Sequence, residues 1–285
     1  MGRVVELPAI GTLLAVTDLH GNLADFRAVV GEFIALAVPG EPPPQLLFCG
    51  DLVHGPLIEP HAWPEHLGEF YVDQTPQLLT EARRLADRYP GQVHFLLGNH
   101  EHAHLGGPRL DKFHPDEAAY LERQYPPGEF APVRQWLSTW ALAAIAPAAG
   151  LAFTHAAPHA QITDRSDLDE LSLGGYESTP LDAMASSGAL GALLWARTTA
   201  ADRAHAFLRT LHPGCGVAVF GHDVVREGHL VEHEPLLCIS SSYGCHDGDK
   251  VYLRWKLARR AGTAAEVARE GLRPLYPHAR AVYRR

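Results

Sequence analysis

The chain has 285 residues, of which 46% are hydrophobic, and its formal net charge at pH 7 is −9. This length is enough for one or two domains with a large core, and the negative charge argues against a surface that binds nucleic acid. The four cysteines show no CxxC spacing, no apolar run is long enough to span a bilayer, and the N-terminus has no signal-peptide pattern, so we expect a cytoplasmic protein with free thiols.

Strands and helices alternate in the first third of the chain. Apolar runs predict buried strands, and apolar residues at helical spacing predict helices. In chain order the pattern predicts a strand over 12–17, a helix over 21–36, a strand over 45–49, a helix over 77–88 and a strand over 92–97. This alternation with short loops indicates an α/β core whose strands are at least partly parallel.

The rest of the chain is less regular. We expect helical pieces within loops over 102–127, a helix over 133–144, a strand over 151–154, a lid or cap over 164–187, and strands over 216–220, 236–240 and 250–257. The last two strands are predicted to form a second, antiparallel group. No composition break divides residues 1–257, which predicts one domain. Residues 258–285 hold seven Arg and two Glu, so we expect a basic C-terminal tail in the form of a solvated helix.

Polar side chains that can bind metals follow the apolar runs of the predicted core. In chain order, one or two of them stand after each of five predicted strands: Asp18 and His20, Asp51, Asn99, His155, and His222. Strand ends of one sheet can bring distant residues to one point, so we expect these side chains to converge. Each residue alone is more often structural, but the ordered set predicts a metal site.

The chemistry of these side chains indicates the kind of metal. Carboxylate and imidazole together suit Mn, Fe, Zn or Co better than Ca, which prefers oxygen ligands alone. Asp51 follows Gly50, which lets the backbone turn sharply and direct the carboxylate back toward the other ligands. A carboxylate in this position can bridge two metal ions, so the pattern predicts a dinuclear site at the strand ends.

The same segments carry a family resemblance. The chain over about residues 10–257 resembles the calcineurin-like metallophosphoesterase superfamily, and most of all bacterial members of the phosphoprotein phosphatase family, through Asp18-Leu-His20-Gly-Asn22, Gly50-Asp51, Gly98-Asn99-His100-Glu101, His155 and Gly221-His222. The resemblance implies a central β-sandwich of mixed sheets flanked by helices. The irregular segments over 102–145 and 160–190 are expected to form lids over the site. The resemblance also implies one metal held by Asp18, His20 and Asp51, and a second held by Asp51, Asn99, His155 and His222.

Two further stretches agree with the family pattern and one departs from it. Leu194-Trp-Ala-Arg197 is similar to the family's Trp-containing segment, and Ile239-Ser-Ser-Ser-Tyr243-Gly is similar to a loop that borders its active site. The second motif, Gly50 to Gly55, is one residue short, so it cannot hold both the Asp that orients the catalytic His and the Arg that holds phosphate. His54 replaces one of them. We therefore expect Arg197, His54 and Tyr243 at the substrate.

These residues lead to a functional hypothesis. We expect a phosphoprotein serine/threonine or tyrosine phosphatase that hydrolyses phosphate monoesters through a metal-bridging hydroxide. Asp51 and His100 would be its catalytic residues, and His100 would donate a proton to the leaving oxygen. Its cofactors would be two divalent ions, Mn foremost and Fe or Zn as alternatives. Its partner would be a phosphorylated protein or a small phosphorylated metabolite. The alternatives are a dinucleoside-polyphosphate or nucleotide hydrolase on the same fold and a non-catalytic metal-binding scaffold. The shortened motif is the feature that favours the scaffold, but the retention of all six predicted ligands argues against it.

Overall fold

Two mixed β-sheets form the centre of the computed structural model, which describes residues 2–284. The strands are β1 (Val4–Glu6), β2 (Thr12–Val16), β3 (Gln45–Phe48), β4 (Val93–Phe95), β5 (Ala143–Ala146), β6 (Leu151–Thr154), β7 (Val217–Phe220), β8 (His229–His233), β9 (Leu236–Ile239), β10 (Val251–Lys256) and β11 (Leu272–Pro274). The helices are α1 (Leu23–Ala35), α2 (Thr75–Arg88), α3 (Asn99–His102), α4 (Glu117–Glu122), α5 (Ala131–Leu137), α6 (Gly188–Trp195), α7 (Ala201–Leu211) and α8 (Ala264–Gly271).

Each sheet has parallel strands at its centre. The six-stranded sheet has the order β1-β5-β6-β7-β9-β8, and β6, β7 and β9 run parallel to one another. The five-stranded sheet has the order β11-β10-β2-β3-β4, and β2, β3 and β4 run parallel. The expected β-sandwich of mixed sheets flanked by helices is thus confirmed.

Alternate residues of the central strands face two different hydrophobic clusters. Leu13 and Leu47 pack between the sheets with Phe153 and Val219 from the other sheet. Their neighbours, such as Phe48, face α1 and α2, where the Phe48 ring stacks between Phe26 and Phe95. Because these strands are covered on both faces, they appear in the sequence as continuous apolar runs.

The predicted helix over 133–144 is wrong in its second half. Helix α5 ends at Leu137, and residues Ala143–Ala146 form β5, which pairs with β1 and β6. The spacing of Trp136 and Trp140 suggested one helix, but their rings meet edge to face while both contact Phe95. An apolar run that is buried all round fits helix and strand equally, and here the sheet decides the conformation.

The prediction that the last two strands belong to one antiparallel group is also wrong. Strand β9 lies in the six-stranded sheet, parallel to β7, whereas β10 lies in the five-stranded sheet, antiparallel to β2. The C-terminal segment, expected as a basic tail, includes α8 and β11, and β11 forms the sheet edge next to β10. The Asp249 carboxylate also accepts the backbone N–H groups of Val282, Tyr283 and Arg284, so this segment is held against the sheet.

The carboxyl ends of strands from both sheets meet at one edge of the sandwich. Asp18 N–H donates to Gly50 O at 3.3 Å, and Gly221 N–H donates to His155 O at 2.8 Å, which joins neighbouring strand ends within each sheet. Thr17 joins the sheets, since its N–H donates to Ser241 Oγ and its hydroxyl to Ile239 O. This edge holds the predicted ligands.

Among residues 2–284, no helix has the length and apolarity that a membrane crossing would require.

Candidate active site

The predicted ligands converge around Asp51. Its Oδ2 atom lies 3.6 Å from His20 Nε2, and its Oδ1 atom lies 3.5 Å from His155 Nε2. Asn99 Oδ1 lies 3.0 Å from both His155 Nε2 and His222 Nδ1. The backbone N–H of His222 donates to the Asp18 carboxylate at 3.1 Å, which brings Asp18, the sixth predicted ligand, to the same place. The Asp51 carboxylate therefore lies between two groups of predicted ligands, with His20 near one oxygen and His155 near the other.

Backbone strain is concentrated in the same residues. The non-glycine residues with positive φ among residues 2–284 are Asp18 (53°), His20 (43°), Asp51 (54°), His54 (62°) and His222 (67°). A left-handed backbone is unfavourable for side-chain-bearing residues and persists where the surrounding structure enforces it. Four of these five residues are predicted ligands, so the unfavourable backbone conformations occur at the residues whose side chains converge.

Glycines next to the ligands allow the close approach of the backbone. A Cβ on Gly98 would lie 2.2 Å from Asp51 Oδ1, and one on Gly50, whose φ is +89°, would lie 2.7 Å from His155 Nδ1. Neither contact is sterically possible without movement of a ligand. The glycines of the Gly50-Asp51 and Gly98-Asn99 pairs are therefore required by the geometry of the site.

Glu101 braces the loop that carries Asp51. Its fully buried carboxylate accepts four backbone N–H groups, those of Gly98, Asp51, Leu52 and Val53, at 2.7 to 3.1 Å. Burial, together with the charge of Asp51, raises the pKa of Glu101 to about 7. The sequence motif contained this residue, but its role as a brace depends on hydrogen bonds between two separate strand ends.

The protonation chemistry of the site suits divalent cations. Burial raises the pKa of Asp18 and of Asp51 to about 7, and the charge of Asp51 adds to the shift at Asp18. Burial also holds the pKa of His20 and His222 well below the usual value, so both imidazoles are neutral. Neutral imidazole, carboxylate and amide oxygen in one buried group form a donor set for Mn, Fe or Zn, and a bound cation would offset the burial of the carboxylates.

A cavity of about 520 Å³ opens onto these side chains. Its lining includes Asp18, His20, Asp51, Asn99, His100 and His222, together with Trp195 and Tyr243. Both segments that the sequence suggested as lids contribute to it, through Leu110–Lys112 and through Leu181, Asp182 and Ala185.

Two cationic side chains line the cavity. Arg197 is exposed and forms an ion pair with Asp223. Lys112, which the sequence analysis did not single out, places its Nζ 4.3 Å from the Tyr243 ring centroid and 4.9 Å from that of Phe113. Lys112 lies in an irregular segment without a motif, so no local pattern indicated it.

His54 does not line this cavity. Its ring is buried behind His100, with the two Nδ1 atoms 3.1 Å apart, and its backbone carbonyl lies 2.9 Å from His20 Nδ1. Burial lowers the pKa of His100 to about 4, although the nearby Glu117 carboxylate opposes this shift. The expected contact of His54 with substrate is therefore replaced by a contact with His100.

The fold and the site together define a metal-dependent phosphoesterase. The profile of the calcineurin-like phosphoesterase family matches residues 11–260, and the chain belongs to this family. The resemblance inferred from the sequence motifs is confirmed, as is the expectation that the protein is a phosphoesterase enzyme. No curated protein sequence matches the chain at a significant level.

Solved structures of phosphatases share the fold. A protein serine/threonine phosphatase from Saccharomyces cerevisiae with similarity to human phosphatase PP5 is 17% identical, with 89% of this chain and 76% of that chain covered and a TM-score of 0.60. The cold-active protein-tyrosine phosphatase of a psychrophilic Shewanella species is 15% identical, with 90% and 81% covered and a TM-score of 0.54. At these identities the similarity extends to the architecture alone.

Proposed function

We propose that this protein is a metal-dependent phosphatase that removes phosphate from monoesters on phosphorylated proteins. The observation that supports this most is the convergence of five other predicted ligand side chains around Asp51, next to a cavity that Lys112 and Arg197 line. Leu181 and Val224 expose 38% and 39% of their surface beside this cavity. Such an apolar rim suits the side chains that flank a phosphorylated residue in a peptide.

The proposal assigns two divalent cations to the site, with Mn the first choice. Asp18, His20 and Asp51 would hold one, and Asp51, Asn99, His155 and His222 the other. When bound, such a pair lowers the pKa of a water molecule and neutralises charge on the phosphoryl oxygens. The chain itself positions the substrate: Lys112 and Arg197 would hold phosphoryl oxygens, Tyr243 would form a wall, and His100 would hold a proton at the leaving oxygen.

The substrate class can be tested with a panel. Protein loaded with Mn²⁺ should hydrolyse p-nitrophenyl phosphate and phosphoserine peptides, and phosphotyrosine peptides should be included to separate the two peptide classes. A preference for dinucleoside tetraphosphates over all phosphopeptides would replace the proposal with a polyphosphate hydrolase. Bound metal with no turnover of any ester would indicate a non-catalytic scaffold.

Lys112 should contribute more to phosphate binding than Arg197. Lys112→Met is expected to raise the KM for p-nitrophenyl phosphate about tenfold, the loss of about 1.4 kcal/mol of binding, with a smaller change in kcat. Arg197→Ala should have a smaller effect, because Asp223 already pairs with that guanidinium. Lys256→Met, at an exposed position of β10, is the matched control. Unchanged kinetics in Lys112→Met would remove this residue from the proposed binding site.

A further inference from the structure

A buried carboxylate lies against the His100 ring. Glu117 Oε2 is 3.0 Å from His100 Nδ1 and 3.2 Å from His54 Nδ1. The second motif, Gly50 to Gly55, contains no carboxylate after Asp51. Glu117 comes instead from the first turn of α4, an element separate from the second motif.

The surroundings of Glu117 fix its carboxylate in place. The side chain is 2% exposed, and Oε1 accepts the N–H of Phe113 at 2.7 Å. Oε2 has no hydrogen-bond partner of good geometry in the described structure, and the two imidazole nitrogens lie close to it. Burial alone would raise the pKa of Glu117, but the contacts with His100 and His54 hold it below its usual value. The buried anion therefore faces the His100 Nδ1 edge.

We infer that Glu117 is a positioning residue for His100, and this inference rests on the proposed phosphatase function. A carboxylate at Nδ1 keeps a proton on that nitrogen and leaves Nε2 as the nitrogen directed at the cavity. The second nitrogen of a catalytic imidazole sets both its tautomer and its ring orientation. Glu117 thus supplies, from α4, the orienting carboxylate that the shortened second motif lacks.

The network continues outward and provides a matched control. His54 Nε2 lies 2.9 Å from His104 Nε2, and His104 Nδ1 lies 3.0 Å from Glu122 Oε1. Glu122 is on the same helix as Glu117, and its side chain is 30% exposed. Its carboxylate pairs with His104 and Arg134 rather than with His100. Replacing Glu122 therefore perturbs the same helix and the same histidine network without changing the carboxylate at His100.

The kinetic test compares Glu117→Gln with Glu122→Gln in the full chain loaded with Mn²⁺. Glu117→Gln should lower kcat about 10- to 100-fold for phosphoserine peptide, whose leaving group needs a proton, and clearly less for p-nitrophenyl phosphate, with KM little changed. Glu122→Gln should stay close to the parent for both substrates. An equal loss for both leaving groups in Glu117→Gln, or an equal loss in Glu122→Gln, would overturn the inference.

A spectroscopic test separates this inference from the proposed function. In protein labelled with ¹⁵N-histidine, His100 should carry its proton on Nδ1 in the parent, with its signals assigned by comparison with His100→Asn. That proton should be lost or shifted in Glu117→Gln and kept in Glu122→Gln. The parent spectrum tests the inference by itself, even if Glu117→Gln fails to fold or no ester is hydrolysed. An unprotonated His100 Nδ1 contradicts the inference. So does metal analysis that finds an additional cation bound by His54, His100 and Glu117.

Discussion

Asp51→Asn is expected to abolish metal-dependent phosphatase activity, with kcat/KM lower on the order of 10³-fold or more, which corresponds to about 4 kcal/mol of lost transition-state stabilisation. Asp51 is placed between the two groups of ligands, with its oxygens 3.6 Å from His20 Nε2 and 3.5 Å from His155 Nε2. Asn keeps the shape of the side chain but removes the charge and one acceptor oxygen. The site would then lose the group that can serve both cations.

The measurement is turnover of p-nitrophenyl phosphate with Mn²⁺, together with the bound metal per chain. Asp87→Asn makes the same chemical change at an exposed position of α2 and should leave both quantities unchanged. Circular dichroism establishes that Asp51→Asn remains folded. Full activity in folded Asp51→Asn would contradict the shared-carboxylate mechanism.

His100→Asn is expected to have the second largest effect, and its size should depend on the leaving group. General acid catalysis contributes about 10²- to 10⁴-fold, so phosphoserine peptide, with a poor leaving group, should lose activity in that range. The loss should be much smaller for p-nitrophenyl phosphate, because p-nitrophenolate leaves without a proton. His100 is close enough to the predicted metal site for this role, since one of its ring nitrogens lies within 4.8 Å of side-chain N or O atoms of His20 and Asp51.

The leaving-group dependence is measured as the slope of log kcat against the pKa of the leaving group in a series of aryl and alkyl phosphates. His205→Asn, at an exposed position of α7, controls for the loss of an imidazole elsewhere in the chain. An equal loss across the whole series in His100→Asn would point to a role in binding or folding rather than in proton transfer.

The architecture was predictable where local signals and topology agree. The central strands are buried on both faces and read as apolar runs, and the polar residues that follow them stand at strand ends that the parallel topology brings to one edge. The segment 133–144 and the strands β9 and β10 were not predictable in this way. Their conformation and pairing depend on which sheet covers them, and that information is not local.

The order of the segments that carry the predicted ligands, and with it the family, was determined by the sequence itself, because each segment is recognised from its own strand end. Asp51, Asn99 and His222 are also marked by the glycine that precedes each of them. The tertiary structure alone decided what surrounds these ligands. It moved His54 from the expected phosphate contact to a position behind His100, brought Glu117 to the His100 Nδ1 edge, and placed Lys112 over Tyr243 at the cavity. These contacts join residues far apart in the chain through irregular loops and a short helix, where neither periodicity nor spacing carries a signal, and only the packed fold brings their charges together.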